Sequence, residues 1–220
     1  MAQKKLENLW QKGRKQMLND VTVFNIREYL SAKGDKDLGE DELRQLLSEF
    51  FCDKNPDVER FLKEQSIEFT KKNQSVTYLV FSNEDASLVG YFTITIKPIT
   101  VNAENFSNTM KRKIARVSEL DEENGTYTLS AYLIAQLGKN FKDGANEKIT
   151  GEQLLHAAVD TIKELQYMAG GMVIFLEAED KEKLIHFYQE ENGFKQFDVR
   201  EMKCRDKDEI HKLVQLLKVM

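Results

Sequence analysis

The chain has 220 residues, 41 % of them hydrophobic and 31 % charged, enough for one sizeable core or for one domain plus an appendage. Two prolines and eleven glycines argue against long disordered linkers, and no run reaches the roughly 20 apolar residues of a membrane-spanning helix. A formal net charge of −5 gives no global drive toward nucleic acid or an anionic membrane, so such a contact requires a local patch.

Residues 1–19 read as a weak amphipathic helix with Leu6, Leu9, Trp10 and Met17 as its apolar positions and Lys4, Lys5, Lys12, Arg14 and Lys15 as a basic face. It either packs through Trp10 on the domain or is a handle for RNA or an acidic partner. The segment has no apolar core of a signal peptide. Val21 to Leu30 fits a short strand or a short helix, and both stay open. Gly34 to Gly39 is a polar turn. Asp41 to Phe51 reads helical through Leu43, Leu46, Leu47 and Phe50. Asn55-Pro56-Asp57 marks a helix start, with Asn at the N-cap and Pro at the first helical position. Val58, Phe61, Leu62, Gln65 and Phe69 form the inward face expected of that helix.

Ser75 to Phe81 and Leu88 to Ile96 are β-branched and aromatic runs joined by the polar turn Ser82 to Ser87, which reads as a β-hairpin. Residues 97–126 link the hairpin to a central strand. They hold the basic cluster Lys111, Arg112, Lys113 and Arg116, followed by Glu119, Asp121, Glu122 and Glu123. Such blocks make a solvated helix and turn, or a contact for substrate phosphate. Glu123-Asn124-Gly125 is a turn.

The central strand runs to Gly138 and is followed by a polar loop, Lys139 to Ile149. Thr150-Gly151-Glu152-Gln153 fits a capping box. Leu155, Val159, Ile162 and Leu165 then follow at helical spacing, and Gly170-Gly171 stops the helix. Met172 to Leu176 is a near-continuous apolar run, as in a strand covered on both faces. Lys181 to Glu191 is a second helix closed by Asn192-Gly193. Gln196 to Met202 alternates as a strand, and His211 to Met220 fits a helix or a strand. Cys52 and Cys204 have no metal or redox spacing, which suits reduced thiols in the cytoplasm.

From Ala131 to Phe194 this order of strand, loop, helix, strand and helix resembles the acyl-CoA-binding core of the GNAT N-acetyltransferases. LIAQLGKN stands as the strand and NEKITGEQLL as the loop and helix start. EAEDKEKLIHFYQEENGF is the second hallmark, a strand end and a helix carrying Phe187-Tyr188 before Asn192-Gly193-Phe194. The front half, FFCDKNPDVERFL, SVTYLVF and LVGYFTI, resembles the branch that contains the acetyltransferase toxins of bacterial toxin–antitoxin pairs. The resemblance covers about residues 45–220. It implies an α/β fold: a mixed, mostly antiparallel central sheet flanked by helices over residues 41–220, preceded by an N-terminal helical extension over 1–40. It also favours a final strand for 211–220.

The resemblance further implies acetyl-CoA as cofactor. Backbone N–H groups of Asn146, Glu147, Lys148, Ile149, Thr150 and Gly151 would hold its pyrophosphate at a helix N-terminus. Backbone groups at Leu137, Gly138 and Lys139 would align the thioester carbonyl, with Gly138 suited to a bulge. Tyr188 would be the general acid on the departing thiolate, its phenol protonated at neutral pH. The family pattern Gln/Arg-x-x-Gly-x-Gly/Ala reads here Asn146-Glu147-Lys148-Ile149-Thr150-Gly151, so Ile149 replaces the first glycine. A branched side chain limits close approach and disfavours positive φ. A weakly held or shifted cofactor is therefore expected, with the Lys148 charge as an offset. Lys181 stands where many relatives have Asn, and one residue is added before Gly193.

Thr128 to Gly138 contains no carboxylate, so no general base is evident. This favours an α-amine, already partly neutral near pH 8, over a lysine amine near 10.4. His156, His186 and His211 form no cluster with carboxylates, and no metal is expected. The expected activity is acetyl transfer to a primary amine. The narrower form is toxin-like acetylation of aminoacyl-tRNA, with tRNA and an antitoxin protein as partners. The alternative is a non-enzymatic acyl-CoA-binding or partner-binding module on the same fold. No membrane partner is expected, and the assembly state is open, a homodimer included.

Overall fold

The computed structural model describes residues 15–18, 20–31, 39–203 and 210–220. The chain forms two compact units, one of 1–95 with 135–164 and one of 96–134 with 165–220. No described helix is long and apolar enough to cross a membrane.

The first unit begins with the antiparallel strands β1 (Lys15–Leu18) and β2 (Val21–Asn25), followed by helix α1 (Ile26–Ser31). Strand therefore occupies residues 15–18, where an amphipathic helix was expected. Trp10 and the rest of that segment lie outside the described residues. Val21 to Leu30 is strand and then helix in turn, because β2 finds a partner in β3 (Val76–Ser82), with Val23 opposite Val80. β3 and β4 (Leu88–Asn102) form the expected hairpin. The strand order in this unit is β1-β2-β3-β4-β6, where β6 is Thr126–Lys139.

Helix α2 (Glu40–Ser48) packs Leu43 and Leu47 inward. Helix α3 (56–71) starts as expected, with Asn55 Oδ1 accepting from the N–H groups of Asp57 at 3.2 Å and Val58 at 3.3 Å. Its inward face differs. Val58, Leu62, Ser66, Ile67 and Thr70 are buried, while Gln65 and Phe69 are exposed. A π turn at Phe61–Gln65 is the reason. One extra residue in a turn advances every later side chain by about 100°, so 3.6-residue periodicity fails beyond it. Phe24, Leu43, Phe50, Leu62, Leu79 and Tyr91 belong to this unit's core.

In the second unit the order is β4-β6-β7-β9-β8, with β7 at Val173–Glu179, β8 at Lys195–Lys203 and β9 at Ile210–Val219; the short β5 (Leu120–Asp121) pairs with β6. β6 and β7 run parallel, with Ala131 opposite Val173 and Ile134 opposite Leu176. β7 and β9 run antiparallel, as do β8 and β9. The final segment is thus a strand. β4 is longer than the hairpin pattern suggested, and helix α4 (Asn108–Ile114) follows it, capped by Ser107 through the Met110 N–H at 3.3 Å. Ile114 joins Val101, Phe106, Leu129, Val173 and Phe175 in this unit's core. Helix α5 (Gly151–Ala169) ends at Gly170 and Gly171, whose φ values of 77° and 97° suit glycine alone. Helix α6 (182–191) joins β7 to β8.

Candidate functional site

All nine residues expected to hold a cofactor lie in the first unit. Tyr188 lies in the second.

The end of β6 is held by packing and by one buried amide. A Cβ on Gly138 would lie 2.4 Å from Val58 Cγ1, so glycine is needed for the close approach of α3. A bulge at Gly138 was the expectation; the structure gives contact with α3 as the reason for glycine. Gly90 serves the same strand from β4, since a Cβ there would lie 2.9 Å from the Gly138 carbonyl oxygen. Asn140, only 4 % exposed, then fixes the chain. Its Oδ1 accepts from the N–H groups of Phe51 at 2.9 Å and Lys142 at 3.1 Å. Its Nδ2 donates to the carbonyls of Leu88 at 2.8 Å and Glu49 at 3.3 Å. Sequence reasoning passed over Asn140, which looks like an ordinary residue after a strand.

The loop that follows is a distorted 3-10 segment, Lys142–Lys148, with positive φ at Asp143 and Gly144. Ile149 is extended, at φ −145° and ψ 137°, and buried. The expected conflict at this position does not arise, because an extended backbone suits a β-branched residue and its side chain is in the core. The Lys148 ammonium is not free either. It pairs with Asp85 in the β3–β4 turn and donates to Ser87 Oγ at 3.2 Å. Hydrogen bonds from Lys148 and Ser87 hold the Asp85 carboxyl down at about 2.

The capping box forms in both directions. Thr150 N–H donates to Gln153 Oε1 at 2.8 Å, and Gln153 N–H donates to Thr150 Oγ1 at 3.0 Å. An α-helix leaves four N–H groups without intrahelical acceptors. The box satisfies the first and the fourth. The two between them, on Gly151 and Glu152, have no acceptor among the described residues. A 19-residue helix thus presents two adjacent donors at its positive end.

In the second unit Tyr188 sits in a π turn, Phe187–Glu191, within α6. The residue added before Gly193 is the inserted residue of such a turn. Tyr188 is 8 % exposed, packed edge-on between Phe187 and Phe194 at centroid distances of 5.0 and 5.9 Å. Phe187 is the less buried of the pair. The Tyr188 hydroxyl has no hydrogen-bond partner among the described residues. It is also not among the sealed, unsatisfied polar atoms, which are on Tyr29, Thr70 and Ser75. Burial pushes the phenol up to about 12, so it holds its proton at neutral pH. Asn192 Nδ2 closes the turn on the Phe187 carbonyl at 2.8 Å. His186 meets Glu191 at 3.3 Å on the exposed side of the turn.

Among the described residues no group of three or more His, Cys, Asp or Glu side chains could hold a metal ion. Cys204 lies outside the described residues, and His211 is a residue of β9, opposite Met202. Cys52 is buried, and burial raises its thiol. On α4 and just beyond it, Lys111, Arg112, Lys113 and Arg116 form no ion pair among the described residues, and Ile114 turns the opposite side inward.

A mostly antiparallel sheet with a parallel β6–β7 pair, a capped helix following the central strand and a tyrosine-bearing helix after the parallel partner together define the GNAT acetyltransferase fold. Solved structures similar to the chain are bacterial toxins of that fold. AtaT complexed with acetyl-methionyl-tRNAfMet matches at 15 % identity and a TM-score of 0.56, over 89 % of this chain and 94 % of that one. A tyrosine-to-phenylalanine mutant of the AtaT toxin, bound to the C-terminus of the antitoxin AtaR and acetyl-CoA, matches at 14 % identity and 0.52, over 91 % and 94 %. A tyrosine-to-phenylalanine mutant of KacT matches at 16 % and 0.57, over 91 % and 95 %. No family model and no curated protein matches the chain.

Proposed function

We propose that the chain is an N-acetyltransferase that moves an acetyl group from acetyl-CoA to a primary amine. The observation that carries the reading is the start of α5, where Gly151 and Glu152 present free N–H groups at the end of a strand–loop–helix unit. Two donors on a helix N-terminus suit a pyrophosphate. The acetyl-CoA bound to the AtaT mutant supports the same cofactor.

Bound acetyl-CoA supplies an activated acetyl thioester. The backbone from Asn146 to Gly151 would hold its pyrophosphate, and the strand backbone at Leu137, Gly138 and Lys139 would orient its thioester carbonyl. Tyr188 would protonate the departing thiolate and regain its proton from solvent, which also takes the proton lost by the acylated amine.

The finer reading of the acceptor is the α-amine of an aminoacyl-tRNA. No carboxylate lies on β6 between Thr128 and Gly138, so the amine must arrive partly neutral. An α-amine near pH 8 does so more readily than a lysine near 10.4. The uncompensated cations of α4 suit phosphate, and AtaT complexed with acetyl-methionyl-tRNAfMet supports this class of acceptor. A partner antitoxin follows by the same analogy, from the AtaT–AtaR complex. A non-enzymatic module would be favoured by a residue at 149 that keeps the cofactor away, and the extended, buried Ile149 gives it no such support.

Incubation with acetyl-CoA and either charged tRNA or lysine peptides, read by mass spectrometry, tests the acceptor. Acetylation of the aminoacyl α-amine is expected. Acetylation confined to lysine peptides would overturn the tRNA reading, and transfer to neither would return the fold to a binding role.

A further inference from the structure

The lysines around the end of β6 fall into two kinds. Lys142 pairs with Glu49, and Lys148 pairs with Asp85. Lys54 and Lys139 have no ion pair among the described residues. These two are also neighbours. The Gly138 Cα faces Val58 and Phe50, Asn140 Oδ1 accepts from the Phe51 N–H, and the Phe141 N–H donates to the Phe51 carbonyl at 2.7 Å. The segment from Phe51 to Val58 therefore runs along Gly138–Phe141. Lys54 places its ammonium 4.5 Å from the centre of the Phe141 ring, two residues beyond Lys139. Lys139 is half-buried; burial first and the Lys54 charge second hold its ammonium below the usual lysine range.

Apart from Asp53, the nearby carboxylates are engaged elsewhere. Glu49 is taken by Lys142, Asp57 by Arg60, and Glu59 by Lys63 and the Cys52 N–H. Asp53, exposed, forms no ion pair among the described residues. Two like charges side by side on a scaffold fixed by Asn140 are unfavourable in the empty protein and favourable once an anion arrives. A carboxylate answers one cation. A phosphate group, with up to about two negative charges, answers both.

We infer that Lys54 and Lys139 form a phosphate-binding site at the end of β6. The Lys139 side chain thereby acts apart from the backbone alignment assigned to that residue, and the site does not require acetyl transfer. Two sources carry the right group: the 3′-phosphate of coenzyme A and the backbone of an RNA strand.

Calorimetric titration of the full chain with coenzyme A, with 3′-dephospho-coenzyme A and with a short single-stranded RNA distinguishes them. Wild type is compared with Lys54→Met, Lys139→Met and the double variant at several salt concentrations. The double variant should lose about tenfold or more in affinity for the seated source. A loss with coenzyme A that is absent with the dephospho form assigns the 3′-phosphate. A loss with RNA, with the slope of log K against log salt reduced by about 1.4 for two lysines, assigns the backbone. The thermal midpoint should equal or exceed that of wild type, because like charges repel, whereas lysines of merely structural use would lower it when removed. Affinities unchanged within error for both coenzyme A and RNA, or no binding of either by wild type, overturns the inference. Failure to bind coenzyme A with the RNA effect intact would sink acetyl transfer and leave the phosphate site standing.

Discussion

Replacing Asn140 by alanine should destabilise the first unit by about 4–5 kcal/mol. The amide makes four hydrogen bonds, to the Phe51 and Lys142 N–H groups and to the Leu88 and Glu49 carbonyls. The bond to Leu88 is buried and the other three are partly buried. Losing three partly hydrated bonds costs about 1 kcal/mol each, and orphaning the Leu88 carbonyl adds about 1–2 kcal/mol. Urea unfolding followed by circular dichroism reads the change as a lower midpoint at constant slope. Hydrogen exchange should report faster exchange at the Phe51 and Lys142 amides. Asn140→Asp keeps the two acceptor bonds but turns a carboxylate toward two carbonyl oxygens. It should be at least as destabilising at pH 7 and should recover in part as acid protonates the carboxyl. A loss below about 1 kcal/mol for Asn140→Ala would refute the view that this amide fixes the end of β6.

Gly138→Ala should cost about 2–3 kcal/mol by overpacking against Val58, and Val58→Ala in the same chain should recover part of it in a double-mutant cycle. Simple additivity of the two changes would deny the contact. The Tyr188 phenol, pushed up to about 12, gives a signed pH effect. Above about pH 10 the unfolded chain releases this proton while the folded chain keeps it, so stability falls between about pH 10 and 12. Tyr188→Phe should remove up to about 2–3 kcal/mol of that fall, read as the difference between the two chains' alkaline denaturation curves. Parallel curves would place the phenol in water. Asp85→Asn should cost less than about 1 kcal/mol, because the pair with Lys148 is partly exposed. The Asp85 contribution is present above about pH 4, the carboxyl's usual range, and is lost as pH falls toward about 2. A salt-insensitive loss of several kcal/mol in Asp85→Asn would contradict an exposed pair.

The capping box at Thr150 and the helix start at Asn55-Pro56 were legible because each is a local pattern whose partners lie within a few residues. The core strands were legible for the same reason, through β-branched runs. The π turns were not. Reading a helix by periodicity assumes 3.6 residues per turn, so Gln65 and Phe69 were assigned inward and lie outward. The second π turn left a trace as one added residue before Gly193, which sequence alone does not place in a helix. β1 and β2 are too short to carry a pattern; β2 depends on the distant β3 for its pairing, and β1 on β2. Asn140 and the Lys54–Lys139 pair were hidden because their partners lie far away in sequence, at separations of 89 and 91 residues for the Phe51 and Glu49 contacts of Asn140. Ile149 misled in the opposite sense: it stands where the family pattern has glycine, so its branched side chain was expected to conflict with a close approach or a positive φ, whereas the backbone there is extended and the side chain buried.

The most direct test of the account is calorimetric titration with acetyl-CoA, run on wild type and on Tyr188→Phe, with release of free thiol measured in the presence of charged tRNA. Binding by both proteins, with thiol release lost only in Tyr188→Phe, is the predicted result. No binding of acetyl-CoA by wild type at millimolar concentration, or equal thiol release by the two proteins, would contradict it.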